Sequence, residues 1–136
     1  MTGNGPPAHA PLAVPVGDTP GAREIGFDKS RHANCSAILF DNLDRAPDRP
    51  AVIGPAGTLS YRQLCAEAAR WGNAFAGFGL ERGARIALFL DDTPAYPAAF
   101  FGAVRAGFVP VLLNTASNTD LLAFYLADSG ARIAVC

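Results

Sequence analysis

Hydrophobic and polar positions predict alternating helices and strands from residue 60 onward. Apolar side chains recur at helical spacing after Ser60, which marks a buried stripe at Leu64, Ala68, Trp71, Phe75 and Phe78. Ser60 and Gln63 have capping-box spacing, and Gly79 is a suitable stop for this helix. Residues 85–90 are then predicted to be a strand, whose apolar run Ile86–Leu90 lacks alternation, as is typical of a central strand covered on both faces.

The same alternation continues through residues 93–113. Thr93 is predicted to cap the next helix, with Pro94 at its first position and its end near Ala106. The apolar run 108–113 predicts the second strand.

A third helix and a third strand complete the pattern. Thr119 is predicted to cap a helix to about Ser129, which turns its apolar side chains inward, namely Leu122, Tyr125 and Leu126. Residues 131–136 predict the last strand. Because strands that alternate with helices imply right-handed crossovers, the fold class is α/β, with a partial parallel sheet and flanking helices. A sheet of three such strands is incomplete, so we expect the chain to be a fragment.

The part before residue 60 divides into a tail and a small ordered region. Residues 1–26 are rich in proline, glycine and alanine and are expected to be a disordered tail, so the ordered unit is 27–136. Asn34 can cap a short helix over about residues 35–44, with one apolar face formed by Ile38, Leu39 and Leu43. Residues 51–53 and 58–59 predict a hairpin.

Composition and charge exclude several classes of function. The net charge is -1, with 11 basic and 12 acidic residues, which gives no electrostatic basis for binding nucleic acid or an anionic membrane. No apolar run approaches the roughly 18 residues of a membrane span. The three cysteines are widely spaced, so we expect no metal site and a reducing, cytoplasmic environment.

Polar residues after the first two strands are the candidates for ligand contacts. Asp91 and Asp92 follow the first strand, at the edge where open α/β sheets bind ligands, and could hold Mg²⁺ or act as acid and base. Adjacent side chains on a turn point apart, however, and Asp92 can equally serve a helix N-terminus. A second polar group follows the next strand and could equally be a solvated loop, namely Asn114, Thr115, Ser117 and Asn118.

Other residues with reactive side chains have structural interpretations. The glycines at 77, 79 and 83 follow a helix and precede a strand, which is the reverse of a phosphate-binding loop, so they indicate a helix end. Cys65 lies at the edge of the buried stripe and is interpreted as core. His32 has no nucleophile nearby, and no serine lies in a nucleophile elbow.

The run LDDTPAYPAAFFGAVRAGFVPVLLNT, Leu90–Thr115, resembles the N-terminal part of the large domain of adenylate-forming ligases. Upstream residues hold the positions of that family's opening motifs, namely Pro50, Ala51, Ile53, Ser60, Tyr61, Leu64, Gly79, Gly83, Arg85 and Ile86. Residues 114–135 resemble the family's following pattern, so the resemblance covers about residues 34–136. Within the family, the sequence from Asp92 to Phe100 and the Asn114–Thr115 pair most resemble benzoate–CoA ligases.

This resemblance implies an AMP-forming acyl-CoA ligase. Such enzymes activate a carboxylate, here an aromatic acid, with Mg-ATP to an acyl-adenylate and transfer the acyl group to CoA. The family's phosphate loop with its lysine, its Thr-Glu pair and its C-terminal lysine do not occur in these residues, and Lys29, the single lysine, precedes the match. We therefore assign no catalytic, cofactor-binding or metal-binding residue. We expect the fragment to be inactive and to have no cofactor bound. The resemblance places only Asn114 and Thr115 near the implied CoA channel.

Two alternatives remain open. One is a non-catalytic interaction or regulatory module derived from the same fold. The other is an adenylation domain that loads a carrier protein. In every case we expect self-association through the open sheet edge, since Val109–Leu113 and Ile133–Val135 lack further strand partners.

Overall fold

The computed structural model describes residues 35–136. The predicted tail, the start of the ordered unit, the Asn34 cap, Lys29 and His32 lie outside these residues. In chain order the elements are α1 Ala37–Phe40, α2 Asn42–Arg45, β1 Pro50–Gly54, β2 Gly57–Ser60, α3 Tyr61–Ala76, β3 Arg85–Leu88, α4 Ala95–Ala106, β4 Val109–Leu112, α5 Thr119–Ser129 and β5 Ile133–Val135. Between residues 35 and 136, no helix has the length and apolarity needed to span a membrane.

The parallel α/β architecture predicted from the sequence is confirmed. β3 pairs in parallel with both neighbours in the order β4-β3-β5, and Ile86 is in register with Pro110 on one side and Ile133 on the other. Ile86, Ala87 and Leu88 are each 0% exposed. Because successive strand residues face opposite sides, β3 is covered on both faces, as predicted for a central strand.

The core lies on the face of the sheet that Ile86 and Leu88 share. These two side chains pack in one cluster of buried residues with Phe75 of α3 and with Ala99 and Ala103 of α4. The connection through α4 runs from β3 to β4, and the connection through α5 runs back from β4 past β3 to β5. Because right-handed connections that run in opposite directions lie on opposite faces, α5 is on the other face of the sheet. No residue of α5 is fully buried, and its predicted inward residues are only partly covered, namely Leu122, Tyr125 and Leu126.

Helices α3 and α4 contact each other at two glycines, Gly72 and Gly102. A Cβ on Gly102 would lie 2.6 Å from the carbonyl oxygen of Ala68 and 2.7 Å from the Cβ of Trp71. A Cβ on Gly72 would in turn lie 3.0 Å from the carbonyl oxygen of Gly102. The backbones of the two helices therefore touch at a point where no larger residue fits.

The hairpin and the start of α3 agree with the sequence predictions. β1 and β2 are antiparallel, with Ile53 opposite Thr58. The Ser60 hydroxyl oxygen accepts from the Gln63 amide at 3.3 Å, and the Gln63 side-chain oxygen accepts from the Ser60 amide at 2.8 Å. This reciprocal capping box fixes the first turn of α3 directly after the hairpin.

In each of two predicted apolar stripes, one residue that was expected to be buried is exposed. The single helix expected over residues 35–44 is two short helices, and Ile38 is 60% exposed, whereas the adjacent Leu39 is 3% exposed. Phe78 is 64% exposed. The helix ends at Ala76, and the chain then tightens so that the Phe78 amide donates to the Phe75 carbonyl at 3.2 Å.

The two predicted threonine caps are also wrong. The Thr93 amide donates to the Asp91 carbonyl at 2.6 Å, and this turn shifts the start of α4 so that Pro94 occupies the N-cap position without a side-chain bond. At α5 the cap is Asn118, whose extended backbone lets its side-chain oxygen accept from the Leu121 amide at 2.9 Å. Thr119 is the first residue of that helix.

Candidate functional site

A cleft of about 520 Å³ opens at the carboxyl edge of β3 and β4, lined by Leu90, Asp91, Asp92, Tyr96, Leu112, Leu113, Asn114 and Thr115. Parallel strands bring their carboxyl ends to one edge, which is the usual place for a ligand in an open α/β sheet. The structure thus brings together the acidic pair and the Asn114–Thr115 pair, which the sequence placed after two different strands. Ser117 and Asn118 are not part of the lining.

Asn114 shapes the loop that forms one wall of the cleft. Its side-chain oxygen accepts from the Ala116 amide at 2.8 Å, and its carbonyl oxygen accepts from the Ser117 amide at 3.0 Å. The first bond is an Asx turn, in which the side chain mimics a backbone acceptor. The Asn118 side chain is engaged as the cap of α5. Thr115 lines the cleft, is exposed, and forms no side-chain hydrogen bond among the described residues.

We expect Asn114→Ala to lower the free energy of unfolding by about 1 kcal/mol, because it removes the acceptor for the Ala116 amide. Asn114→Asp is the matched control, since it keeps an oxygen at the same position and should remain close to the unchanged protein at physiological salt. Urea unfolding gives the free energies, and amide hydrogen exchange at Ala116 reports the bond itself. Equal destabilisation by both substitutions would show that the acceptor oxygen is not what matters.

The acidic pair determines which ligands the cleft accepts. Asp91 and Asp92 are both exposed, and the lining includes no lysine, arginine or histidine. Across residues 35–136 there is no cluster of three or more His, Cys, Asp or Glu side chains that could hold a metal ion. Two carboxylates without a neighbouring cation repel phosphate, so the lining does not fit a nucleoside triphosphate. Because carboxylate oxygens accept hydrogen bonds, the lining fits a ligand that carries hydrogen-bond donors.

Tyr96 is a lining residue that the sequence analysis missed. It is the second residue of α4, and it lines both the cleft and a smaller apolar groove of about 200 Å³ beside the β1–β2 hairpin. That groove also includes Ile53 and Pro97. The signal available in the sequence was position, because the helix that follows a parallel strand begins at the carboxyl edge of the sheet.

Cys65 and the glycines before β3 have the structural roles assigned from the sequence. Cys65 is 3% exposed, and its thiol lies 3.9 Å from the Leu39 carbonyl oxygen, to which it can donate. Burial raises the pKa of the Cys65 thiol, and the positive charge of Arg105 offsets part of that rise. Burial and the raised pKa both disfavour the reactive thiolate, as expected for a cysteine packed in the core. Gly79 and Gly83 have positive φ and lead from α3 into β3, at the opposite edge from the cleft.

The family model described as AMP-binding enzyme matches residues 39–136, which include both walls of the cleft. The chain belongs to the AMP-binding enzyme family. Among its relatives, a 4-hydroxybenzoate–CoA/benzoate–CoA ligase of Rhodopseudomonas palustris is 47% identical over 61% of this chain. A long-chain-fatty-acid–CoA ligase of Haemophilus influenzae is 36% identical over 82% of it.

The AMP-binding fold assignment also agrees with a solved structure. A benzoate CoA ligase from Burkholderia xenovorans LB400 superposes on 74% of this chain with a TM-score of 0.70 and 35% identity. The chain spans 15% and 20% of the lengths of the two relatives above and 21% of this structure. The described residues therefore correspond to one part of the larger family fold.

Proposed function

We propose that this chain is part of an ATP-dependent ligase that activates an aromatic carboxylate of the benzoate class and transfers it to CoA. In the first step the carboxylate oxygen attacks the α-phosphorus of Mg-ATP, so that pyrophosphate leaves and an acyl-adenylate forms. In the second step the CoA thiol attacks the acyl carbon, and AMP leaves. The protein acts in the cytoplasm, where ATP and CoA are available.

The observation that carries this proposal is the match of residues 39–136 to the AMP-binding family, supported by the 47% identity to a benzoate-class ligase. The similarity to a fatty-acid ligase is lower in identity and longer in extent, so the proposal of an aromatic substrate rests on the higher identity to the benzoate-class ligase. The Asn114–Thr115 pair is part of the sequence that resembles benzoate–CoA ligases. It lies in one wall of the carboxyl-edge cleft.

Residues 35–136 supply scaffold to this reaction. The cleft has two carboxylates and no cation, so it cannot neutralise the phosphates of ATP. Its polar, uncharged groups at Tyr96, Asn114 and Thr115 suit the amide-bearing arm of CoA, which carries no charge. Lysine-bearing loops from other parts of the protein would supply phosphate stabilisation.

ATP–pyrophosphate exchange tests whether these residues act only as scaffold while other parts of the protein stabilise the phosphates. We expect the product of the gene's complete reading frame to exchange label when benzoate or 4-hydroxybenzoate is supplied. The purified 136-residue chain should give no exchange above the rate without protein, because it lacks the residues that stabilise the developing charge.

The controls separate the two halves of the proposal. Exchange by the complete product with a long-chain fatty acid and not with any benzoate would contradict the substrate class and leave the family intact. Robust exchange by the 136-residue chain alone would contradict its role as scaffold. A circular dichroism spectrum with helix and strand signals confirms that the inactive chain is folded.

A further inference from the structure

The amino edge of the sheet carries a second cleft, of about 480 Å³, on the opposite side from the candidate site. Its lining consists of Gly79, Leu80, Glu81, Arg82, Gly83, Ala84, Arg85 and Arg132. Arg85 begins β3, and Arg132 immediately precedes β5. Because β3 and β5 are neighbours in the sheet, Arg132 meets Arg82 and Arg85, which lie much earlier in the sequence, in one cleft.

Two of these arginines are held in place by the ends of helices. Gly107 and Gly130 end α4 and α5 in the left-handed conformation. A Cβ on Gly107 would lie 3.1 Å from Cζ of Arg82, and a Cβ on Gly130 would lie 2.6 Å from Nη2 of Arg85. Each guanidinium thus rests against a glycine that leaves room for it. These contacts restrict the two side chains before any ligand binds, which lowers the entropy cost of ordering them on binding.

The guanidinium groups keep unused hydrogen-bonding capacity. Nε of Arg85 donates to the Ser129 carbonyl at 2.9 Å, which leaves its other N–H groups available. Within residues 35–136, Arg82, Arg85 and Arg132 form no ion pair, although Glu81 lines the same cleft. Exposed arginines elsewhere do find carboxylates, as Arg62 does with Asp48 at 3.2 Å.

Helix ends explain only part of this cluster. The negative ends of α4 and α5 favour cations, which accounts for Arg82 and Arg85. Arg132 lies outside both helices, its side chain forms no hydrogen bond to either helix end among residues 35–136, and it still lines the cleft. Three arginines against one glutamate also stand out in a chain whose net charge is -1. The lining therefore holds more positive charge than the helix ends require.

We propose that this amino-edge cleft binds the phosphate group of a small phosphorylated ligand. A planar guanidinium can donate two parallel hydrogen bonds to phosphate oxygens, and the cleft offers three such groups. The amides of Gly83 and Ala84 are occupied, since they donate to the Gly107 and Glu81 carbonyls at 2.8 and 3.1 Å. The arginine side chains are the donors that we assign to the phosphate. The site is separate from the carboxyl-edge cleft and does not depend on the proposed ligase reaction.

An NMR titration of the full 136-residue chain with inorganic phosphate, and separately with ADP, tests this proposal. We expect saturable shifts of the amide signals of residues 79–85 and 132, and no such shifts at Asn114 and Thr115. Arg132→Gln should weaken binding by about tenfold, the effect of losing one charge-assisted hydrogen bond. In the part of the chain that the structure describes, the Arg132 side chain forms no hydrogen bond or ion pair, so the substitution should leave the fold intact.

Arg62→Gln is the matched control, because it removes one positive charge from an exposed arginine outside the cleft. It should leave the affinity unchanged. Equal affinity for phosphate and ADP would show that a single phosphate group is recognised, and tighter binding of ADP would show that two are; both support the site. Absence of saturable shifts with either probe, or equal weakening by Arg62→Gln and Arg132→Gln, would overturn it.

Discussion

Gly102→Ala is expected to lower the free energy of unfolding by about 3 kcal/mol, the upper end of the cost of overpacking a core. The added methyl group would lie 2.6 Å from the Ala68 carbonyl oxygen and 2.9 Å from the Gly72 amide nitrogen. Both atoms belong to the backbone of α3, so no side-chain rotation relieves the overlap, and the two helices must move apart. Urea unfolding, followed by the fluorescence of Trp71, measures the change.

Gly54→Ala is the control for this experiment. No atom lies within 4 Å of a Cβ at Gly54, so the same chemical change adds no overlap there. It should be neutral, or stabilise by up to about 1 kcal/mol because the unfolded chain loses freedom. Destabilisation of similar size at both glycines would mean that the contact between α3 and α4 is not what makes Gly102 necessary.

Leu88→Ala should cost about 3 kcal/mol, within the usual range for removing a buried leucine side chain. Leu88 is 0% exposed and packs in the core cluster with Phe75 and Ala103. Alanine would leave a cavity between β3 and α4 that the sheet cannot close without distorting its pairing. The midpoint and slope of urea unfolding, read by circular dichroism, measure the loss.

Leu112 provides the matched control, because it is in register with Leu88 on the neighbouring strand and is 50% exposed. Leu112→Ala removes the same atoms from the same row of the sheet, yet we expect a cost of only about 1 kcal/mol. If Leu112→Ala proved as costly as Leu88→Ala, the exposed side of β4 would have to be covered in solution.

Features set by neighbouring residues could be predicted from the sequence. The capping box at Ser60 depends on two side chains three residues apart, and the strand around Ile86 is marked by its uninterrupted apolar run. Errors arose where local signals competed. Helical spacing continued to Phe78, although α3 ends at Ala76, and Asn118 rather than the adjacent Thr119 adopts the extended backbone of a cap.

Contacts between distant segments could be predicted only where a general rule applied. The carboxyl-edge rule placed Asp91 and Asn114 at the same edge, and they do line one cleft. No such rule identifies Gly102 as the contact with α3, because a glycine in a helix gives no sign of its neighbour. The arginine cluster was missed for a similar reason, since Arg132 meets Arg85 only once β5 is known to lie beside β3.

The central position of β3 has a consequence for synthesis on the ribosome. Both strands that flank it come later in the chain, so Ile86 and Leu88 emerge before either neighbour can pair with them. After β4 has formed, one edge of β3 stays open until residues 133–135 have left the exit tunnel. A nascent chain that pauses in α5 therefore presents the strand that is most fully buried in the folded protein to chaperones that bind extended segments.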